Sequence, residues 1–293
     1  MRKLRTLIAA TIVLTLSWRA SAQEEGFRRI ARPADAPRTI GEAMERSRNP
    51  VKAAVIGIDD YSANFLIPGA GSVQGSNGTF FRSDLSISNL RSVDQVIGVG
   101  WMAQAVDNRA ALLTYFVIPA NTTSNQDDFV GIALGKSGLG AIIVFASTAS
   151  SPHTNDSAGQ LNAFSRIWTY QPGSSGTVSQ GFPAISLTDS IGSLVGRIIG
   201  LKQSSQYRTN VGIVNLDSVQ HTWTVRSIAT GAQFSITVPA VSMNQQAAPA
   251  NSGSAAGNAA YALQSDGFGF WWSAYGTSVD NITGDGWVSR AIQ

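Results

Sequence analysis

Apolar and polar residues alternate in short runs along most of this chain. Ile97, Val99 and Trp101 are separated by small residues, and Trp223 and Val225 are flanked by threonines and an arginine. A period of two with one apolar side is typical of a half-buried antiparallel strand. Clusters of Gly, Ser, Asn and Asp separate the runs, and no amphipathic helical stretch follows about residue 55. The pattern therefore predicts an all-β protein.

An internal repeat organises these predicted strands. Residues 81–90 match residues 207–216 position for position. Further matches follow in the same order, 116–120 with 236–240 and 138–140 with 267–269. Their offsets drift, as they do when loops change length while the strand order is kept. We therefore expect two tandem antiparallel β-sandwich modules, Ig-like or jelly-roll-like in architecture.

The N-terminal residues predict export. Three basic residues at positions 2–5 precede an apolar run from Leu7 to Leu16, and Ala20-Ser21-Ala22 provides the small side chains that a signal peptidase requires. The apolar run is too short to span a bilayer, which needs about 20 residues. We expect a cleaved signal peptide, a secreted mature protein in the periplasm or outside the cell, and no membrane span after cleavage.

The segment after the signal peptide is charged and contains three prolines, which favours a flexible leader over a docking element. Thr39 and Glu42 have the spacing of a capping box, which predicts one short helix that Asn49-Pro50 would end. The predicted boundaries are 1–22 for the signal peptide, 23–52 for the leader, 53–183 for the first module and 184–293 for the second.

Net charge changes once the signal peptide is removed. The whole chain has 21 basic and 18 acidic residues, but four of the basic residues lie within residues 1–22. From residue 53 onward there are ten basic residues, thirteen aspartates and no glutamate. No basic face remains to follow a phosphate backbone, so a nucleic-acid partner is not expected.

The chain contains no cysteine. This excludes disulfides, thiol catalysis and cysteine-ligated metals. An exported domain without disulfides must be stabilised by burial, and this chain is long enough for that.

The repeated strand has a polar side. Arg82 and Asp84 are two residues apart, so both side chains are expected on one face, where they can pair. Asn210 takes the place of the acid in the second repeat, and we favour a structural polar face over a binding ribbon. Asn89 and Asn215 fall where their strands end, and we expect them to make turn hydrogen bonds with their own backbone.

Several longer runs are distinctive. They are Phe80-Phe81-Arg82-Ser83-Asp84-Leu85, Arg208-Thr209-Asn210-Val211-Gly212-Ile213-Val214-Asn215, Arg166-Ile167-Trp168-Thr169-Tyr170 with Gly176-Thr177-Val178-Ser179-Gln180, and Ser278-Val279-Asp280-Asn281 with Thr283-Gly284-Asp285. Together they resemble a group of uncharacterised secreted bacterial proteins, frequent in soil and acidobacterial-type genomes, over roughly residues 64–290. The resemblance implies tandem Ig-like β-sandwich modules and export, and it implies no activity or catalytic residue.

The sequence contains little catalytic chemistry. The only histidines are His153 and His221, no GxSxG or HExxH motif occurs, and the body has no glutamate to act as an acid or base. We predict no catalytic residue, no cofactor and a non-enzymatic structural or interaction protein. A secreted hydrolase is the third choice.

Four aromatic residues near the C terminus are weak binding candidates: Trp271, Trp272, Tyr275 and Trp287. Trp271 and Trp272 must point to opposite faces of a strand, so at most one joins the core and the other is covered by a neighbour or exposed. An exposed indole beside asparagine and aspartate would suit a sugar ring, because its flat face stacks on C–H groups. We favour packing for these residues, with a carbohydrate-binding module as the runner-up. The expected partner is an unidentified protein or glycan.

A weaker candidate for metal lies close by. Asp280, Asn281 and Asp285 surround a glycine turn, and their oxygens suit calcium. The full EF-hand spacing and its bidentate glutamate are absent. Turn hydrogen bonds within a hairpin explain the same residues, so no metal is expected.

Overall fold

The computed structural model describes residues 26–47, 63–75, 78–151, 153, 156–171, 173 and 175–293. Strands account for 55% of the structure and helices for 8%. The named strands pair antiparallel throughout. The all-β prediction is confirmed. The predicted signal peptide lies outside the described residues.

One helix and ten strands make up the first half. They are β1 (Arg28–Ile30), α1 (Ile40–Ser47), β2 (Asn64–Gln74), β3 (Phe80–Asn89), β4 (Gln95–Ala103), β5 (Thr114–Ile118), β6 (Thr122–Gln126), β7 (Gly138–Ser147), β8 (Leu161–Tyr170), β9 (Thr177–Pro183) and β10 (Ile185–Ser186). A π-helical turn, Phe129–Ala133, lies between β6 and β7.

These ten strands form one sheet with two wings. The long strand β2 pairs with β7 along most of its length and with β3 only at Val73 and Gln74. Wing A has the order β1-β5-β4-β7-β2-β10, and wing B has the order β6-β3-β8-β9. Because β10 still pairs with β2, the first half extends past the predicted boundary at residue 183.

The second half forms two four-stranded sheets. Its strands are β11 (Val195–Lys202), β12 (Tyr207–Asn215), β13 (His221–Ser227), β14 (Gln233–Val238), β15 (Ser242–Ala247), β16 (Asn258–Ser265), β17 (Trp272–Asp280) and β18 (Gly286–Arg290). Sheet C has the order β11-β16-β13-β14, which repeats β2-β7-β4-β5 of wing A. Sheet D has the order β15-β12-β17-β18, which repeats β6-β3-β8-β9 of wing B.

The first sequence matches lie in corresponding strands. Residues 81–90 cover β3 and 207–216 cover β12, while the next pair of matched runs ends β5 and β14. The third match is wrong. Residues 138–140 begin β7, whereas 267–269 lie in the loop after β16, the strand that occupies the position of β7. The two segments share only the spacing of one leucine and two glycines, Leu134 with residues 138–140 and Leu263 with residues 267–269.

Sheet D joins the two halves because both of its faces are buried. Val211 and Ile213 of β12 belong to the core that sheet D shares with sheet C, whereas Val214 belongs to the core of the first half. Successive residues of a strand point to opposite faces. On the side of the first half, β12 and β17 contact β2, and β15 contacts β4 and β7. Residues of sheet D therefore complete the apolar core of the first half. Wing B and sheet C are the outer layers.

Residues 26–47 are folded onto wing A. Strand β1 pairs with β5 at the edge of the wing. Helix α1 buries Ile40, Ala43 and Met44, and a side chain at Gly100 would collide with Ile40. The prediction of a flexible leader is wrong for these residues, because the short helix has an apolar side that wing A covers.

Helix α1 begins near the predicted capping residues. Thr39 Oγ1 accepts a hydrogen bond from the N–H of Glu42 at 3.2 Å, and Glu42 Oε2 accepts one from the N–H of Arg38 at 2.7 Å. The glutamate thus reaches one residue further back than a capping box requires. The predicted stop at Asn49-Pro50 lies outside the described residues.

Candidate functional site

Two of the four C-terminal aromatic candidates are buried. Trp272 is 0% exposed and Tyr275 is 2% exposed. The indole N–H of Trp272 donates to the carbonyl of Ser193 at 2.9 Å, and the hydroxyl of Tyr275 donates to Gln245 Oε1 at 2.8 Å. Burial raises the pKa of the Tyr275 phenol above its ordinary value. Neither ring offers a face to a ligand in solution.

The other two candidates lie in separate places. Trp271 packs against the core of the first half, whereas Trp272 belongs to the core between sheets C and D. Trp287 is 36% exposed, its indole N–H donates to the carbonyl of Gly200 at 2.8 Å, and its ring meets Tyr207 edge-on at 5.9 Å. The structure does not bring the four rings together into one binding patch.

The candidate calcium ligands form the turn between β17 and β18. Asp280 Oδ1 accepts hydrogen bonds from the N–H groups of Ile282 and Thr283 at 2.7 and 3.2 Å, and these bonds lower the pKa of Asp280. Asn281 Oδ1 accepts a hydrogen bond from Arg208 at 2.8 Å. Among the described residues, no group of three or more histidine or carboxylate side chains is placed to hold a metal ion.

His221 lies between two aspartates at one end of the second half. Its Nε2 lies 3.0 Å from Asp217 Oδ2 and its Nδ1 lies 2.8 Å from Asp266 Oδ1. The ring stacks on Phe270 with 3.8 Å between centroids. Since both ring nitrogens face carboxylates, neither is placed to take a proton from a serine hydroxyl.

The first half has a corresponding polar cluster made of different residues. Arg91 and Gln95 stand where the second half has Asp217 and His221. Arg91 Nη1 donates to Gln95 Oε1 at 2.9 Å and to Asp156 Oδ2 at 2.6 Å. In both halves a polar cluster therefore ties the loop after β3 or β12 to the loop before β8 or β17. Because the two clusters correspond, we assign His221 a structural role.

His153 binds the N-terminal segment. Its Nδ1 lies 2.5 Å from Asp35 Oδ1, and Ser151 Oγ donates to Asp35 Oδ2 at 2.8 Å. The hydrogen bond from Ser151, with those from His153, holds the pKa of Asp35 well below its usual range against the effect of burial. A serine nucleophile needs the histidine beside its hydroxyl, with the aspartate behind the histidine. Here the aspartate lies between them.

The polar side of the repeated strand has other partners than expected. Asp84 Oδ2 pairs with Arg166 Nη2 at 2.8 Å, and Asp84 Oδ1 accepts a hydrogen bond from the Trp168 indole at 2.7 Å. The guanidinium of Arg82 lies over the rings of Phe80 and Trp168, at 4.7 and 5.5 Å from their centroids. The predicted Arg82–Asp84 pair is wrong, because strand register sets Arg166 directly opposite Asp84.

Wing B carries an aromatic surface that is not among the candidates predicted from the sequence. Phe164, Trp168 and Tyr170 lie at alternate positions of β8, and Phe164 and Tyr170 are 48% and 57% exposed. They alternate with the buried residues Leu161, Ala163, Ser165 and Thr169. The period of two was therefore the sequence signal for this surface, because it places the aromatic residues on the side of β8 away from the core.

Comparison with known proteins adds no relative. No protein-family model matches the chain, and neither a curated protein nor a solved structure gives a significant match. The resemblance to secreted bacterial proteins thus stays a prediction. No helix in the described part of the chain has the length and apolar character needed to cross a membrane.

Proposed function

We propose that this protein is an exported, non-enzymatic interaction protein built from two copies of one β-sandwich module. The observation that carries the proposal is the strand order. Eight strands of the first half and eight of the second pair in the same two sequences of neighbours. The copies are joined through sheet D into one body, and such a body holds its outer faces and loops in constant positions for a partner.

The placement of the polar residues supports a binding role over catalysis. His221 and His153 each tie two segments of the chain together through aspartates. Catalysis by a serine or an aspartate requires a base or a second carboxyl group directed at the same substrate atom. A secreted hydrolase remains the less favoured proposal.

Carbohydrate binding through the C-terminal tryptophans is also less favoured. Trp287 is the candidate with the most exposed ring, and its indole N–H is already bound to Gly200. A sugar at that place would meet one partly covered ring.

Export is tested by expressing the full chain in a Gram-negative host and sequencing the N terminus of the product. We expect a mature chain that begins at Gln23 and is found outside the cytoplasm. Ala22→Phe should block cleavage, because a large side chain does not fit the peptidase, whereas Ala22→Gly should be processed normally. An intact chain that stays in the cytoplasm would contradict the proposal.

The non-enzymatic part is tested with chromogenic ester, glycoside and peptide substrates. We expect no turnover above buffer by the purified mature chain. Turnover that Asp35→Asn or His221→Gln abolishes, in a variant that remains folded, would show that the chain is a hydrolase.

A further inference from the structure

The two outer layers of the molecule expose different chemistry. The outer face of sheet C carries mainly small and polar residues, among them Thr224, Arg226 and Gln264, and the exposed aliphatic residues Val195 and Ile199. Across all four strands of sheet C, which lie wholly within the described residues, no aromatic residue is on that face. Wing B has four aromatic residues on its outer face: Phe80, Phe164, Trp168 and Tyr170.

Phe164 is the best placed of these aromatic residues. It lies opposite Ser86 in register, and the end of its ring lies over Gly181 of β9, where an added Cβ would come within 2.7 Å of Phe164 Cζ. The glycine leaves room for the ring on one side, while 48% of the residue is exposed on the other. The ring is thus supported by the sheet and open to solvent.

Hydrogen-bonding groups lie on the same face of wing B as the Phe164 ring. Ser86 Oγ donates to Asn125 Oδ1 at 2.6 Å, which orients the Asn125 amide at the exposed surface. Arg166 follows Phe164 two residues later on the same face, and its Nε and Nη2 are held on Asp84 Oδ2 at 3.3 and 2.8 Å. Asn162 precedes Phe164 by two residues on this face and is exposed. The exposed apolar ring suits the C–H groups of a sugar. The amides, hydroxyl and guanidinium on the same face suit its hydroxyl groups.

The outer face of the four strands of wing B carries two arginines and one aspartate. Arg166 pairs with Asp84, and Arg82 is held over the rings of Phe80 and Trp168. A nucleic acid would require a larger surplus of positive charge, so this face, with two arginines and one aspartate, suits an uncharged partner better. Tyr170 lies on the same strand six residues after Phe164, about 20 Å away, so the surface has the length of an oligosaccharide.

We propose that the outer face of wing B binds an uncharged carbohydrate chain, with one sugar ring stacked on Phe164 and hydroxyls of the chain bonded by Asn125 and Arg166. This rests on the proposed function and names the class of partner. The site is separate from the C-terminal tryptophans and lies on the first half of the chain.

The test is calorimetric titration of the mature chain with cellohexaose, xylohexaose, chitohexaose and maltohexaose. We expect at least one of these to bind and to be recovered with unchanged mass. Phe164→Ala should weaken that binding at least tenfold, and Asn125→Ala should weaken it several-fold. Phe268→Ala is the matched control, because Phe268 is 82% exposed in the loop after β16 and is not part of wing B. It should bind as the wild type does.

Two results would overturn the proposal. One is the absence of binding to all four oligosaccharides, including the case in which a protein ligand binds through Phe164 instead. The other is equal weakening by Phe164→Ala and Phe268→Ala in variants with unchanged thermal midpoints. Neither result alters the cleavage at Gln23 or the absence of turnover, so failure of this proposal is distinguishable from failure of the proposed function.

Discussion

Asn89 and Asn215 make the same hydrogen bonds in the two halves of the molecule. Asn89 Nδ2 donates to the carbonyls of Val93, Ile118 and Pro119 at 2.8, 3.1 and 3.2 Å. Asn215 Nδ2 donates to the carbonyls of Val219, Val238 and Pro239 at 2.7, 3.3 and 2.9 Å. Each Oδ1 accepts a hydrogen bond from the N–H two residues later, at 3.1 and 2.9 Å. The predicted turn bonds are confirmed, and each amide also joins its own turn to the end of a distant strand.

Both asparagines should be important for stability. Asn89→Ala or Asn215→Ala leaves buried carbonyls without a donor, which is expected to cost about 2–3 kcal/mol of unfolding free energy. Asn162→Ala is the control, because Asn162 is exposed on β8, and its change should stay within about 0.5 kcal/mol. Urea unfolding of the three variants measures this. Equal losses in all three would contradict the structural role.

Two buried tryptophans differ in one hydrogen bond. Trp223 and Trp272 are both 0% exposed, but Trp223 Nε1 has no partner among the described residues, whereas Trp272 Nε1 donates to Ser193. Replacing either tryptophan by phenylalanine removes the same side-chain volume. Trp272→Phe also loses this hydrogen bond, so it should cost about 1 kcal/mol more than Trp223→Phe. Denaturant titration checks this, and an equal or reversed order would refute it.

Gly212 leaves room in sheet D for the Tyr275 ring opposite it, and that ring contacts the first half. An added Cβ there would overlap the ring of Tyr275, which is 2% exposed and packs edge-on to Phe182 at 5.2 Å. Gly212→Ala should therefore lower the free energy of unfolding by about 1–3 kcal/mol or more, as overpacking of a core does. Gly192→Ala is the control, since the nearest atom to its added Cβ is 3.9 Å away. Thermal unfolding of both variants distinguishes them.

Asp35 should make stability depend on pH. Its pKa is held well below the usual value by hydrogen bonds from Ser151 and His153. A carboxyl group with a lowered pKa stabilises the fold above its unfolded pKa, about 3.9, and this contribution is lost as pH falls toward the folded pKa.

Asp35→Asn should therefore lower the thermal midpoint at neutral pH, and its difference from wild type should narrow below about pH 4. Asp127→Asn, a change at an exposed position after β6, should follow the wild type at every pH. Calorimetry between pH 7 and pH 2 provides the comparison. A difference that grows on acidification would be the wrong sign.

Part of the candidate surface could have been found from the sequence. Phe164, Trp168 and Tyr170 alternate with buried residues, and this period of two places them on the solvent side of a strand. What lies beside them could not be found in this way, because Gly181 and Asn125 come from other strands. Asp84 shows the same limit: its nearest basic residue in sequence is Arg82, but its partner is Arg166.

The sequence by itself determined the local states of the chain. The alternation of apolar residues set the strands, the matched runs 81–90 and 207–216 set corresponding strands in both halves, and Asn89 and Asn215 set the turns. Each of these depends on residues close together in sequence, where backbone sterics and short-range hydrogen bonds decide.

Tertiary structure decided which apolar faces meet. It buried Trp272 and Tyr275, which the sequence left as binding candidates, and it folded residues 26–47 onto wing A. It also left the aromatic residues of β8 on an outer layer. A period of two identifies two sides of a strand but not what covers either side, because burial depends on contacts between residues far apart in the chain.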